Sequence, residues 1–406
     1  MGDAIVGDGQ GRMRSVGALA EREVTVIGAG VAGLAVARAL ALRGARVTVI
    51  EQARRISEVG AGIQIAPNGG RVIEALGLGP ALAAASMESA AVVLRGHRRG
   101  REVLRMDLTG RGRFALIHRA DLIALLEDGA RAAGVTIETG APVASIWLGR
   151  EGALLEMAGG DRRAAALTLG ADGLHSKARA AILGPREPAF TGQVAWRATI
   201  PAPPGIPVEA QVFMGPGRHL VAYPLREGRL LNLVAVEERA AWAREGWSHE
   251  GDPEALRRAF SGFGGPVPGW LEAVDRVMLW GLFRHPVAER WHAPGLAILG
   301  DAAHPTLPFL AQGACLALED AWVLAAALDA YPTAAEALAA YQSARQERAR
   351  RIVDAATANA RNYHLRGPVR VAAHAAMRAA GAAGGRAALA RFDWLYGHDP
   401  TTVVQG

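Results

Sequence analysis

The chain has a single cysteine, a single lysine and no long apolar run, and each shortage excludes a class of protein. Cys315 cannot form an internal disulfide, which fits a cytoplasmic protein. No stretch of 18 or more apolar residues is free of charge, so we expect no membrane span. Residues 1–22 mix glycine with charged residues and lack an apolar core, so we expect no signal peptide.

Positive charge is carried almost entirely by arginine. Lys177 is the only lysine among 45 basic residues, and the formal net charge is +6. The arginines are spread along the chain without a nucleic-acid-reading module, so we expect a solvated surface and no nucleic-acid partner. No His, Cys or Glu cluster has the spacing of metal ligands, and there is no Gly-x-Ser-x-Gly elbow. We therefore expect no metal site.

The order of apolar segments predicts an α/β protein with a second, inserted sheet. Residues 23–28 and 46–51 are predicted as buried parallel strands on either side of an Ala/Leu-rich helix. Between about 186 and 280 prolines cluster and strand-like segments follow one another closely, which predicts a mostly antiparallel β-sheet. A buried strand at 295–301 and two long helices then return to the first domain.

A glycine-rich turn joins the first predicted strand to the first predicted helix. The segment Gly28-Ala29-Gly30-Val31-Ala32-Gly33 has the spacing of dinucleotide-binding turns, whose glycines allow a tight turn and close approach of a pyrophosphate. The N–H groups at the helix start favour phosphate. Glu51 ends the second strand, and its carboxylate can accept hydrogen bonds from ribose hydroxyls. The turn predicts a dinucleotide but does not distinguish FAD from NAD.

Two further motifs each follow an apolar strand. They are Gly170-Ala171-Asp172-Gly173-Leu174-His175-Ser176 and Gly300-Asp301-Ala302-Ala303-His304-Pro305, and the second is followed by Gln312-Gly313-Ala314 and Glu319-Asp320-Ala321. Together with the glycine-rich turn, they resemble the motifs of the class A FAD-dependent aromatic hydroxylases, which have the 4-hydroxybenzoate hydroxylase fold. The salicylate hydroxylase group is the most similar. Residues 392–397 also resemble the ending of that group, so the resemblance covers most of the chain.

The resemblance implies a set of cofactor-binding residues. Asp301 would bind the ribityl chain of FAD, and the helix that starts at Gln312 would stabilise negative charge on the reduced flavin. Asp172 would lie near the path of FAD and of NADH or NADPH, and Arg119 matches an arginine that contacts FAD. Residues 60–63 resemble a loop close to the flavin, where glycine lets the backbone approach the ring. The full predicted set is Gly28, Gly30, Ala32, Gly33, Glu51, Gly62, Arg119, Asp172, Asp301, Gln312, Gly313 and Ala314.

Structural alternatives stay open for three of these residues. Asp301 could be a helix N-cap, Asp172 could form a turn before its glycine, and Arg119 could be a surface residue at a helix start. His304 lies inside the second motif and is interpreted as a structural residue. Cys315 has no base partnered with it, so it is interpreted as a small packing residue.

The domain boundaries follow from these assignments. We predict a discontinuous, Rossmann-like FAD-binding domain at 1–185 and 281–365, a substrate domain at 186–280 and a C-terminal helical segment at 366–406. The helix predicted over 334–362 is rich in charge, which leaves open a solvated face or the surface of a homodimer. The charged residues include Arg345, Glu347, Arg348, Arg350 and Arg351.

His219 and Tyr223 are the predicted catalytic residues. Positions 219, 221 and 223 share one face of a strand, so both side chains could line one pocket. In the family's reaction O₂ adds to reduced FAD as a C4a-hydroperoxide, which needs an electron-rich ring, and removal of a phenol proton supplies one. Histidine is a suitable base near neutral pH, and tyrosine can hold a substrate oxygen. Related hydroxylases carry both residues at this spacing. The alternative is a pair of half-buried strand residues with local hydrogen bonds.

The resemblance implies a monooxygenase that hydroxylates a small, salicylate-like phenolic carboxylate with NADH or NADPH and O₂. Glutamine is expected at position 308 in 3-hydroxybenzoate 6-hydroxylases, so Pro308 favours a salicylate or hydroxynicotinate substrate. Two alternatives remain open. One is a hydroxylase or epoxidase of a larger natural product on the same fold, and the other is a non-catalytic FAD-fold binding protein.

Overall fold

The computed structural model of the chain describes residues 5–7, 13–15, 18–56, 62–150, 152–240, 249–382 and 389–404. The strands in these ranges are β1 Ile5–Gly7, β2 Met13–Ser15, β3 Glu23–Ile27, β4 Arg46–Glu51, β5 Gly62–Ile65, β6 Ser86–Glu88, β7 Ala91–Gly96, β8 Glu102–Asp107, β9 Ala115–His118, β10 Thr136–Thr139, β11 Val143–Leu148, β12 Ala153–Met157, β13 Arg162–Ala165, β14 Thr168–Gly170, β15 Ala189–Pro201, β16 Ala210–Gly215, β17 Arg218–Leu225, β18 Leu230–Glu238, β19 Glu250–Gly251, β20 Val277–Arg284, β21 His292–Ala293 and β22 Leu296–Ile298.

The helices in the same ranges are α1 Val31–Ala41, α2 Pro67–Ala75, α3 Gly79–Ala85, α4 Arg119–Ala132, α5 Lys177–Leu183, α6 Pro253–Ala259, α7 Val267–Glu272, α8 Gly313–Ala330, α9 Ala334–Tyr363, α10 Gly367–Ala382 and α11 Asp393–Tyr396. Short 3₁₀ turns occur at Gly300–Ala302 and Pro400–Thr402. No helix in the described ranges is both long enough and apolar enough to cross a membrane.

The first sheet is mainly parallel and has the strand order β10-β4-β3-β14-β22-β21. Its central strands are short and β-branched or apolar because they are buried. Helix α1 contacts β3 and β4, α5 contacts β14 and β22, and β13 of the separate sheet β11-β12-β13 contacts β3. Helix α1 is buried almost all round, since it packs against β4, α4 and α8. The carboxyl ends of β3, β14 and β22 lie side by side. In open α/β sheets ligands bind at this edge, and all three motifs from the sequence follow these strands.

The second sheet is mostly antiparallel and has the order β19-β20-β15-β18-β17-β16-β7-β8. One face is covered by α6 and α7 through an apolar cluster that includes Trp196, Phe213, Phe260 and Trp270. The segment predicted as the substrate domain, 186–280, supplies β15 to β19 and half of β20. However, β7 and β8 come from residues 91–107, and β7 joins β16 in a parallel pair. The sheet is therefore wider than the segment that the sequence predicted.

Helix α9 runs for 30 residues and begins with a capping box formed by Thr333 and Glu336. The prediction that its charges form a solvated or dimer-forming face is wrong for Arg345, which is 0% exposed. Arg345 forms ion pairs with Glu319 and Asp320 of α8. The charge pattern of α9 could not reveal this burial, because the carboxylates that pair with Arg345 lie on another helix.

Candidate active site

A cavity of about 330 Å³ lies between the carboxyl edge of the parallel sheet and the open face of the antiparallel sheet. Predicted site residues that line it are Gly30, Ala32, Gly62, Arg119, His219, Tyr223, Asp301, Gly313 and Ala314. Gly28, Gly33, Glu51, Asp172 and Gln312 do not line it. Gly60 and Ala61, which belong to the predicted flavin loop, lie outside the described residues. The structure thus brings both predicted catalytic residues to the same cavity as most of the predicted cofactor-binding residues.

Two glycines of the glycine-rich turn have no room for a side chain, whereas a third has open space beside it. A Cβ on Gly33 would lie 1.8 Å from the carbonyl oxygen of Gly28, and Gly28 itself has a φ of +100°. A Cβ on Gly30 would meet no atom within 4 Å. Because Gly30 also lines the cavity and precedes α1, this open space is a cradle for a phosphate group at a helix N-terminus.

Glu51 stabilises the glycine-rich turn through backbone hydrogen bonds. Its carboxylate accepts hydrogen bonds from the backbone N–H groups of Ala29 and Ala53, each at 2.8 Å. These two contacts fix the carboxylate at the end of β4, beside the glycine-rich turn. Each carboxylate oxygen can still accept a second hydrogen bond, so the arrangement fits a ribose hydroxyl.

Asp301 projects into the cavity from the 3₁₀ turn after β22. The turn begins at Gly300, which has a φ of +61°. Although its side chain is open to the cavity, the surrounding protein raises the pKa of Asp301, and His304 and Arg119 oppose this increase. A carboxylate at a strand end is the acceptor that the hydroxyls of a ribityl chain require.

The start of α8 forms another part of the wall. Gly313 and Ala314 line the cavity at the N-terminus of this 18-residue helix, whose dipole favours negative charge. The Gln312 side chain turns inward instead, where its Oε1 accepts a hydrogen bond from Asn68 at 2.9 Å. With the phosphate cradle at Gly30 and the acceptor at Asp301, these residues fit an FAD molecule that has its flavin ring beside α8.

Asp172 has the contacts of a turn-forming residue. Its carboxylate accepts hydrogen bonds from the Ser176 hydroxyl at 2.5 Å, from the Lys177 N–H at 2.7 Å and from the Ala178 N–H at 3.1 Å. These contacts fix the start of α5. They support the structural alternative that the sequence left open for this residue.

His219 and Tyr223 lie on β17, with Val221 between them on the same wall. Burial and the neighbouring His364 hold the pKa of His219 well below its ordinary value of 6.5, so the ring is a neutral base. Burial raises the pKa of the Tyr223 phenol, so this group stays a hydrogen-bond donor. Gly62 lies directly against it, since a Cβ there would be 2.6 Å from the tyrosine ring.

Arg197 and His364 are two residues that sequence reasoning missed. Arg197 of β15 lines the cavity, and its guanidinium lies over the Trp280 ring at 4.5 Å. The available signal was that Arg197 is the only charged residue of its strand. His364 follows α9, and its Nε2 lies 2.7 Å from Nδ1 of His219, 145 positions away in the chain. No local pattern could have connected those two residues.

His304 and Cys315 have the contacts of structural residues. His304 contacts the buried Asp320 carboxylate. Cys315 accepts a hydrogen bond from the Ala66 N–H at 3.3 Å, and burial raises the pKa of its thiol to about 12, which makes it unreactive. Among the described residues, no group of His, Cys, Asp or Glu could hold a metal ion.

Comparison with known proteins agrees with this geometry. The model of the FAD binding domain family matches residues 21–356. The 3-amino-4-hydroxybenzoate 2-monooxygenase of Streptomyces cremeus is 37% identical over 357 residues, which cover 84% of this chain and 88% of that protein. The 3-hydroxybenzoate 6-hydroxylase of Klebsiella oxytoca is 33% identical, with 84% and 89% covered. The chain therefore belongs to the FAD binding domain family, and it is an FAD-dependent monooxygenase.

Solved structures show the same fold. A salicylate hydroxylase in a substrate complex superposes with a TM-score of 0.80 at 23% identity and covers 95% of this chain and 97% of its own. HpxO of Klebsiella pneumoniae, solved with FAD and uric acid, has a TM-score of 0.79 at 26% identity, with 88% and 93% covered. The predicted fold, an FAD-binding α/β domain that carries an antiparallel sheet, is confirmed.

We expect Gly30→Val to weaken FAD binding without unfolding the protein. The valine side chain would enter the phosphate cradle, but it would meet no protein atom near its Cβ. The dissociation constant of FAD should rise at least about tenfold, which corresponds to about 1.4 kcal/mol. Flavin fluorescence during titration measures it. Gly159→Val is the matched control, because that glycine also faces open space and lies away from the cavity. Equal flavin affinity in both variants would contradict the assignment.

Proposed function

We propose that the protein hydroxylates a small phenolic aromatic carboxylate, using NADH or NADPH and O₂. The observation that carries this proposal is the placement of a neutral base, His219, and two anchoring groups, Tyr223 and Arg197, on the cavity wall that faces Asp301 and the start of α8. This is the donor and acceptor set that a ring with one phenol and one carboxylate requires.

Bound FAD supplies the reducing and oxygen-activating chemistry, and the residues of this chain prepare the substrate. His219 accepts the phenol proton on Nε2, because its Nδ1 is engaged by His364. Loss of that proton makes the ring electron-rich. The Arg197 guanidinium pairs with the carboxylate, and the protonated Tyr223 phenol donates to a substrate oxygen. Apolar side chains such as Val221, Val234 and Leu282 complete the wall and exclude water.

A residue of the cavity wall and the relatives of the chain favour a single-ring substrate over a larger natural product. Pro308 lines the cavity, and proline at this position favours a salicylate or hydroxynicotinate ring. The relatives named above act on an aminohydroxybenzoate and a hydroxybenzoate, which belong to the same chemical class. We also propose a cytoplasmic location, where NADH and NADPH are available.

The purified protein should show a flavin absorption spectrum. It should oxidise NADH or NADPH faster when its aromatic acid substrate is present than when it is absent. Salicylate, 3-hydroxybenzoate and 3-amino-4-hydroxybenzoate are the first substrates to test. We expect at least one of them to stimulate nucleotide oxidation and to yield a product with one added oxygen atom, with little hydrogen peroxide. Bound flavin without stimulation or product from any of the three would contradict the proposed substrate class.

We expect Arg197→Met to raise KM for the carboxylate substrate by about 10- to 100-fold, since a hydrogen bond to a charged group contributes about 1.5–3 kcal/mol. Methionine keeps a side chain over the Trp280 ring but removes the charge. KM for the carboxamide analogue of the same substrate should change little. Arg276→Met is the control variant, because Arg276 is 80% exposed and pairs with Glu250 at the sheet edge. An equal rise in KM for acid and amide would show that Arg197 does not bind the carboxylate.

A further inference from the structure

Behind His219, two side chains lead from the cavity to the protein surface. Nδ1 of His219 lies 2.7 Å from Nε2 of His364, and Nδ1 of His364 lies 3.0 Å from Oε1 of Glu238. His219 is 1% exposed and His364 is 4% exposed, whereas the Glu238 side chain is 41% exposed. The three groups therefore form a hydrogen-bonded row with one end at the substrate cavity and the other end in water.

Backbone contacts hold the three elements of this row together. His219 lies near the start of β17, Glu238 ends β18, and His364 follows α9. The Gly217 N–H donates to the carbonyl of His364 at 3.1 Å, and the Glu238 N–H donates to the carbonyl of Gly217 at 2.9 Å. Arg366 donates to the other oxygen of Glu238 at 2.5 Å. The spacing between the side chains is thus fixed by the fold.

The charge of Glu238 sets the direction of every hydrogen bond in the row. A carboxylate only accepts, so Nδ1 of His364 must carry a hydrogen. Nε2 of a neutral His364 is then an acceptor, and Nδ1 of His219 must donate to it. Nε2 of His219 is therefore unprotonated and has a lone pair that can accept a proton. Burial lowers the pKa of both histidines, which keeps the rings neutral. The row therefore selects the tautomer of His219 that can act as a base.

We propose that His364 and Glu238 are positioning residues that form a proton relay between His219 and solvent. The proposal rests on the proposed function, in which His219 takes the phenol proton. As Nε2 of His219 gains that proton, its Nδ1 passes a proton to Nε2 of His364. Nδ1 of His364 then passes a proton to Glu238, which releases it to water. One proton enters the row and one leaves, and the reverse sequence, which returns a proton from water to the phenolate of the product, resets the tautomers.

The surroundings of His219 favour this path over direct loss of the proton to water. The ring centroids of Phe309 and Tyr363 lie 5.3 Å and 5.2 Å from that of His219, so these rings shield it from water. The charged groups that face His364 are Glu238, Arg366 and Arg218. Both arginines disfavour a lasting positive charge on His364, so a proton that reaches it is driven on to the carboxylate.

Two variants test the relay. At saturating nucleotide, O₂ and substrate, His364→Phe should lower kcat for hydroxylation by roughly 10²-fold, the lower end of the range for general-base catalysis. Glu238→Gln should lower it less, because a partly exposed amide can still hold the His364 ring. Flavin content and KM should stay unchanged in both. Glu250→Gln is the matched control, since Glu250 lies on the same sheet in an exposed pair with Arg276.

The acidity of the substrate separates a relay from a packing effect. A ring-fluorinated analogue has a more acidic phenol and needs less help to lose its proton. If the relay operates, the fall in kcat should be clearly smaller with the analogue than with the parent substrate. An equal fall with both substrates, or no fall with either, would overturn the proposal. If His364→Phe does not fold, Glu238→Gln decides by the same comparison.

The same experiment distinguishes failure of the relay from failure of the proposed function. Wild-type protein that forms no hydroxylated product from any of the three acids contradicts the function itself. Wild-type protein that forms product, together with relay variants that form it at the wild-type rate from both parent and fluorinated substrate, contradicts only the relay.

Discussion

His219→Gln should lose hydroxylation by about 10²- to 10⁴-fold, the range expected when a general base is removed. The phenol would keep its proton, and the ring would remain too poor in electrons to accept oxygen. Nucleotide oxidation should continue but yield hydrogen peroxide in place of product. The ratio of product to nucleotide consumed, measured by chromatography, gives the result directly.

The control for this variant is His292→Gln, because His292 lies on β21 at the edge of the parallel sheet, outside the cavity. The control should hydroxylate at the wild-type rate, and both variants should retain FAD. Full coupling of nucleotide oxidation to product in His219→Gln would show that another group removes the phenol proton.

Arg345→Met should destabilise the protein by about 3–5 kcal/mol, the cost of removing one partner from a buried ion pair. Glu319 and Asp320 are both 0% exposed, and each forms an ion pair with Arg345. Although burial alone would raise it, the pKa of Glu319 is held at about 2 by Arg345 and Arg348. Methionine would leave the carboxylates buried with fewer partners. Urea unfolding in excess FAD measures the loss.

The same network holds Gly300, before Asp301, and Gln312, before α8, so FAD should bind more weakly in Arg345→Met. Asp320 accepts a hydrogen bond from the Gly300 N–H at 3.0 Å, and Asn68 bridges Glu319 and Gln312 at 2.7 Å and 2.9 Å. Arg350→Met is the matched control on α9. Its partly exposed pair with Glu347 spans 3.9 Å and contributes at most about 1 kcal/mol. Equal stability of the two variants would contradict the role of Arg345.

The pH dependence of stability gives a second measure of this network. The pKa of Glu319 falls from an ordinary 4.5 to about 2 on folding, so its stabilising effect is complete above pH 4.5 and is lost as the pH falls toward 2. In Arg345→Met this acid-dependent part should be smaller, because one of the cations that lowers the pKa has gone. An unchanged acid limb would argue against the pairing.

Local patterns in the sequence predicted the parts of the site that local geometry builds. The glycine-rich turn and the segment around Asp301 each depend on a strand end followed by a turn, and such signals lie within a few residues. The alternation along β17 likewise predicted that His219 and Tyr223 share one wall. Two interpretations of Asp172 stayed open because a turn-forming aspartate and a cofactor-binding aspartate have the same neighbours in sequence.

The features that the sequence did not predict depend on contacts between residues that lie far apart in the chain. Arg345 and Arg348 looked like solvated charges, since nothing on α9 shows that α8 supplies buried carboxylates. The strands β7 and β8 join the second sheet through a parallel contact more than 100 residues away, which has no turn signal. Arg197 and His364 stand alone in the sequence, and only the fold brings them to the cavity or to His219.

Incubation of the holoenzyme with NADH or NADPH, the three acids and oxygen-18 gas tests the central claim most directly. At least one acid should gain a single oxygen-18 atom on its ring, and His219→Gln should form the same product far more slowly. The contradicting result is that the bound flavin is reduced by the nucleotide, but hydrogen peroxide is the only product that contains oxygen-18 with each of the three acids.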